Sequence, residues 1–120
     1  MGCAASSYST SDQNDHAVYY VTVNSKTLGV KIAESLLTDK LAACVNIIPG
    51  VESMYWWEGK VETDQELLLM IKSSRALLNQ ITKRVKEQHE YDTPEVIAVP
   101  IVGGSTQYLN WIKENTRRPR

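Results

Sequence analysis

Two spacings of apolar residues alternate along this chain. From Ala17 to Asn24 the run AVYYVTVN is β-branched and aromatic, which predicts a strand, and Ser25 stands where a helix N-cap belongs. Val30, Ile32, Ala33, Leu36, Leu37 and Leu41 then form a broad stripe, so a helix ending near Lys40 turns one side to a sheet and the other to water. Residues 41–72, LAACVNIIPGVESMYWWEGKVETDQELLLMIK, return to a β-rich pattern with a reversal at Glu58-Gly59-Lys60. They predict one very long hairpin, each arm roughly twice the typical strand of about 5 to 6 residues. Pro49-Gly50 interrupts the first arm and predicts a bend or bulge.

Helical spacing resumes at Ser74, a candidate cap for a second helix in which Leu77, Ile81 and Val85 recur every fourth residue. His89 continues that stripe, and Pro94 ends it. Val96 to Ile101 predict a fourth strand, Gly103-Gly104 a turn, and Ser105 a cap for a last helix carrying Tyr108, Leu109, Trp111 and Ile112. The order β-α-β-β-α-β defines an α+β class, the ferredoxin-like split βαβ sandwich, here with an extended hairpin. Both main helices cover one face of its antiparallel sheet and leave the other bare. Leu67 to Ile71 are five consecutive apolar residues, so both faces of that strand are apolar and the bare one needs a cover from outside the chain. The expected cover is further copies of the same chain packed sheet to sheet, with Leu68 and Met70 in the interface and Tyr55, Trp56 and Trp57 at the hairpin tip gripping a neighbour.

At 120 residues the chain fits one domain, expected over residues 16–116, between a disordered tail at 1–15 and a basic tail at 117–120 that trails into solvent. A formal net charge of −1 with both signs interspersed argues against nucleic acid as a partner. No stretch has the roughly 18 consecutive apolar residues of a spanning helix. The two cysteines, Cys3 and Cys44, make no disulfide framework, and the expected setting is the reducing cytoplasm. Met1-Gly2-Cys3-Ala4-Ala5-Ser6 fits an N-myristoylation pattern in which Gly2 and Cys3 would carry a lipid anchor; an ordinary unmodified tail is the alternative.

Candidate chemistry is sparse. Alternation places Lys60, Glu62, Asp64 and Glu66 on one side of the third strand and Cys44 with Asn46 on one side of the second. Three carboxylates on one side suit an oxygen-rich ion site or, alternatively, a solvated edge that discourages pairing. Glu66 abuts the apolar run and is expected to be partly buried, with Lys72 or His89 as its partner. His89, taken as the only histidine of the folded part, is either a metal ligand or a capping side chain; Cys44 is either a ligand or a small buried hydrophobe. No CxxC, HxxxH, acid-rich calcium loop, Walker lysine or nucleophile elbow is present, and no enzyme is expected.

The blocks LAACVNIIPGVESMYWWEGKVE, LLLMIK, HEYDTPEVIAVPI and YLNWI, in that order, resemble the CutA family of divalent-cation-tolerance proteins from about Ala17 to Ile112. The resemblance implies a homotrimer of ferredoxin-like subunits whose hairpins cross onto neighbours, and a link to divalent metal ions, copper among them. It implies a metal at His89 alone, since the family's strand cysteine and second histidine are here Val21 and Gln88 and Cys44 lies on a different strand; Glu66 and Cys44 stay metal candidates on the residue reading above. It also implies that Lys60, Glu62, Lys72, Tyr91 and Glu95 line a cleft between subunits. Two other functions stay open: a signalling trimer that senses a small ligand in that cleft, and a scaffold for other proteins.

Overall fold

The structure, a computed structural model, describes residues 8–9 and 15–119. Its elements are β1 (Tyr8–Ser9), β2 (His16–Val23), α1 (Lys26–Thr38), β3 (Cys44–Trp57), β4 (Lys60–Ser74), a 3-10 turn (Arg75–Leu77), α2 (Leu78–Gln88), β5 (Ile97–Pro100), β6 (Gly104–Ser105) and α3 (Thr106–Glu114). Four strands form an antiparallel sheet in the order β3-β4-β2-β5, the split βαβ arrangement that the element order implies.

Alternation decides which side chains reach the core. Ala17, Tyr19, Val21 and Val23 of β2, with Leu69 and Ile71 of β4, are buried against Leu28, Ile32 and Leu36 of α1 and against Leu77, Ile81 and Val85. Ser25 caps α1 by accepting from the Leu28 amide at 3.1 Å, as expected. Ser74 caps the 3-10 turn rather than α2, accepting from the Ala76 amide at 3.2 Å. At Gly29, an added Cβ would lie 3.2 Å from Val23 Cγ2 and 3.3 Å from Leu69 Cδ2, so glycine is what lets α1 sit this close to the sheet.

The opposite sheet face carries Val18, Tyr20, Ile48, Leu68, Met70, Ile97 and Val99, since Ile48 pairs with Leu68, Thr22 with Leu68, Tyr20 with Met70 and Ile97, and Val18 with Val99. None of these seven is fully buried, and Ile97 is 50% exposed.

The hairpin closes through Glu58 and Gly59, both at positive φ (49° and 80°), which matches the right-handed twist of the two arms. Between Ile48 and Val51 the register slips by one residue, with Gly50 at φ 79°. This bulge exchanges the faces of β3. Before it, Cys44, Asn46 and Ile48 share a face with Leu68 and Met70; beyond it, Tyr55 and Trp57 take that face, and Trp56, paired with Val61, points to the other. The three tip aromatics expected to act together are therefore split between two surfaces.

Two expectations at the chain ends need correction. Tyr8–Ser9, inside the stretch expected to be disordered, pair with Ser105 and Gly104 in a two-stranded ladder. Residues 1–7 and 10–14 lie outside the described residues, and with them the acylation pattern at Gly2 and Cys3. Arg117 does not trail into solvent: its amide donates to the Lys40 carbonyl at 2.8 Å and its Nη1 to Asp39 Oδ1 at 2.8 Å. Asp39 also receives Arg84 Nη2 at 2.6 Å, so one carboxylate ties α1, α2 and the C-terminal segment together.

Candidate functional site

Beyond Val23, the partner of Leu67, β2 ends while β4 and β3 continue as the free hairpin. The segment after α2 crosses that end on its way to β5, because Pro94 forbids further helix and β5 must return beside β2. His89 is the C-cap of α2 with extended backbone, so it leaves the helical stripe that its spacing predicts. Its Nε2 donates to the Thr22 carbonyl at 2.7 Å, and its Nδ1 accepts from the Tyr91 amide at 3.1 Å. Both ring nitrogens are thereby engaged, leaving no lone pair free for a metal. His89 instead orients Tyr91, whose ring centroid lies 4.4 Å from its own.

Tyr91 Oη donates to Glu66 Oε2 at 2.8 Å. Glu66 is 8% exposed, as its place beside the apolar run implies, but its partner is this phenol and not Lys72 or His89. Burial, then the Glu66 bond, pushes the Tyr91 phenol above its ordinary range. Glu95 lies at the surface, yet the packing around its carboxyl, and secondly the charge of Glu66, raise its pKa as well. One step out along β4, Asp64 accepts from Tyr55 Oη, a bond that is the main cause lifting that phenol to about 12. The hairpin base thus gathers Glu66, Glu95, Asp64, Tyr55 and Tyr91, negative charge held by neutral phenols.

The other sequence candidates lie elsewhere. Cys44 pairs with Lys72, six residues along β4 from Glu66, about 20 Å at the usual strand rise. There Cys44 Sγ lies 3.9 Å from Asn46 Oδ1, and the Lys72 ammonium lies 5.7 Å from the Tyr108 ring centroid. Lys60 and Glu62 are exposed near the tip, opposite Trp57 and Tyr55. The expected metal set His89, Glu66 and Cys44 does not converge, and among the described residues no group of three or more His, Cys, Asp or Glu could hold a metal ion. The described residues of one chain on its own do not fit a closed metal site.

A second histidine of the folded part also went unforeseen. His16 opens β2, is 5% exposed, and its Nε2 donates to the Leu109 carbonyl at 2.9 Å. The strand expected from Ala17 begins one residue earlier, at His16, and the added residue is the histidine.

Comparison with known proteins agrees with this geometry. A family model described as CutA1 divalent ion tolerance protein matches residues 17–115. The chain belongs to the CutA1 family. It is 57% identical over 109 residues to "Protein CutA 1, chloroplastic" of Oryza sativa, covering 91% of this chain and 62% of that protein. It is 46% identical to the divalent-cation tolerance protein CutA of Thermus thermophilus, covering 82% of this chain and 96% of that one. A crystal structure of CutA1 from Oryza sativa superposes with a TM-score of 0.86 at 55% identity, over 91% of this chain and all of that one (100%). The periplasmic divalent cation tolerance protein CutA of Archaeoglobus fulgidus superposes with a TM-score of 0.83 at 39% identity, over 85% and 99% of the two chains. The fold and family expected from the sequence are those found. The cytoplasmic setting is not: a plant relative is named chloroplastic and an archaeal one periplasmic, so a reducing-compartment argument from two cysteines does not fix location. Among the described residues no helix is long and apolar enough to cross a membrane.

Proposed function

We propose that this chain acts without catalysis, as a homotrimer, in tolerance of divalent cations such as copper, holding an ion weakly in clefts between subunits. The open sheet face carries the reading. Leu68, Met70, Ile48, Tyr20, Ile97 and Val99 form an apolar surface left half-buried or exposed in the single chain, and Tyr55 and Trp57 extend it beyond the body. A surface of this kind is stabilised by burial against an identical one, and a projecting hairpin reaches the neighbour.

The hairpin base would then line a cleft. Glu66 and Glu95 offer oxygen donors whose mutual repulsion a cation relieves, and a neighbouring copy supplies the donors that one chain lacks. Lys60 and Glu62 from the tip, and Lys72 from the far end of the sheet, belong to the cleft in the same assembly. Light scattering tests the assembly, with a mass of three 13.5 kDa chains expected. Calorimetric titration with copper and with manganese tests the ion: binding that Glu66→Gln weakens supports the reading, whereas a monomer, or a trimer silent to both ions, overturns it.

A small-ligand sensor is the second reading, favoured by the engagement of both His89 nitrogens. Metal silence with a melting shift from a small organic ligand would select it.

A further inference from the structure

His16 is a titratable side chain that the hairpin base does not use. It opens β2 and lies 5% exposed where that strand meets α3. Its Nε2 bonds to the Leu109 carbonyl at 2.9 Å, in the middle of α3. A carbonyl only accepts, so this nitrogen carries the hydrogen and Nδ1 of the neutral ring holds a lone pair. Nδ1 is buried and has no hydrogen-bond partner. A neutral ring tolerates that arrangement, whereas an imidazolium would bury a charge together with an N–H donor that no acceptor meets, which costs far more.

The charged groups around the junction add to that cost. Arg75 of the 3-10 turn, Lys113 of α3, and Arg117 and Arg118 beyond it line the same recess as His16, and Asp15, at the surface, is the single carboxylate residue in that lining. Asp39 offsets Arg117, and Arg75 is engaged as well, but neither pairing gives His16 Nδ1 an acceptor.

We propose that His16 is a proton-sensitive latch that fastens α3 to the start of β2: the closed junction admits only the neutral ring, and a proton on that ring releases the helix. In the open junction the imidazole meets water and takes up a proton as an exposed histidine does, at about pH 6.5. Protons then bind the open form and not the closed one, so the junction is held above that value and opens progressively below it. For one proton taken up on opening, the open fraction rises about ten-fold between pH 7.5 and 5.5. With nine residues α3 is too short to persist undocked, so its backbone amides report the opening.

Hydrogen exchange of the full chain, corrected for the pH dependence of the intrinsic rate, compares α3 amides with those of α1 across that range. Protection of α3 is expected to fall about ten-fold relative to α1. His16→Gln keeps a donor for the Leu109 carbonyl and takes no proton, so its α3 protection should stay constant with pH. His16→Phe fills the same space without polar atoms and should be equally constant, which covers the case in which the first variant misfolds. The nitrogen resonances of the His16 ring in the parent need no variant: protonation is expected only together with loss of α3 protection. A parent whose α3 protection does not change with pH, a variant that keeps the parent's fall, or a protonated ring with α3 still protected overturns the proposal.

Discussion

Removing the hydroxyl of Tyr91 tests whether the hairpin base is held by its buried phenol–carboxylate pair. Tyr91→Phe keeps the ring beside His89 and deletes only the donor to Glu66 Oε2, 2.8 Å away. A hydrogen bond to a charged group contributes about 1.5–3 kcal/mol, and since Glu66 is only 8% exposed, water regains little of it; a loss of about 2 kcal/mol follows. With a urea m-value on the order of 2 kcal/mol/M, the unfolding midpoint should fall by about 1 M. Equilibrium urea denaturation at one fixed protein concentration is the assay, because an oligomer's midpoint depends on concentration. The same measurement on Glu66→Gln and on the double variant completes a cycle, with a coupling of at least about 0.5 kcal/mol expected for groups in contact. If Tyr91→Phe stays within about 0.5 kcal/mol of the parent, or the two changes simply add, the pair does not hold the base and the reasoning fails.

Asp39→Asn keeps the side-chain size but removes the charge shared by Arg84 and Arg117; with the three side chains 18–37% exposed, a loss of about 1 kcal/mol is expected, shrinking in high salt. Urea midpoints at low and high sodium chloride check it, and a salt-independent difference contradicts the ionic account. Glu95→Gln tests the crowded carboxyl. A raised folded-state pKa means that the native form holds its proton more tightly, so the parent loses stability as pH rises from the ordinary glutamate value, about 4.3, through the raised one. The variant lacks that loss, so it should gain on the parent toward neutral pH, with no such gain below pH about 4; a melting difference that is flat with pH would exclude the mechanism.

What the sequence made legible was local or periodic. The stripe of Leu77, Ile81 and Val85 and the alternation through Ala17 to Val23 placed α2 and β2, because burial of one face enforces those spacings. Glu58-Gly59 marked the hairpin turn through glycine's tolerance of positive φ. What stayed hidden were pairings across the fold. Glu66 and Tyr91 are 25 residues apart, and Arg117 and Asp39 are 78 apart; nothing in the local pattern of either partner points to the other. His16 was missed because one more residue joined the strand than its apolar content suggested, and strand ends are set by pairing, here with Ser74. The split of Trp56 from Trp57 depends on a bulge that Pro49-Gly50 announced but whose effect on facing needed the observed register.

That bulge makes the tip sensitive to odd and even lengths. Past Gly50, every side chain of β3 faces as it does because one unmatched residue precedes it. Deleting that residue would exchange Trp57 for Trp56 on the side that bears Leu68 and Met70, leaving composition, strand length and turn almost untouched. Length changes in the first arm should therefore be accommodated in steps of two, and single-residue changes only where a second bulge restores the count. Natural or engineered variants of the hairpin can be sorted on that arithmetic before any of their side chains is considered.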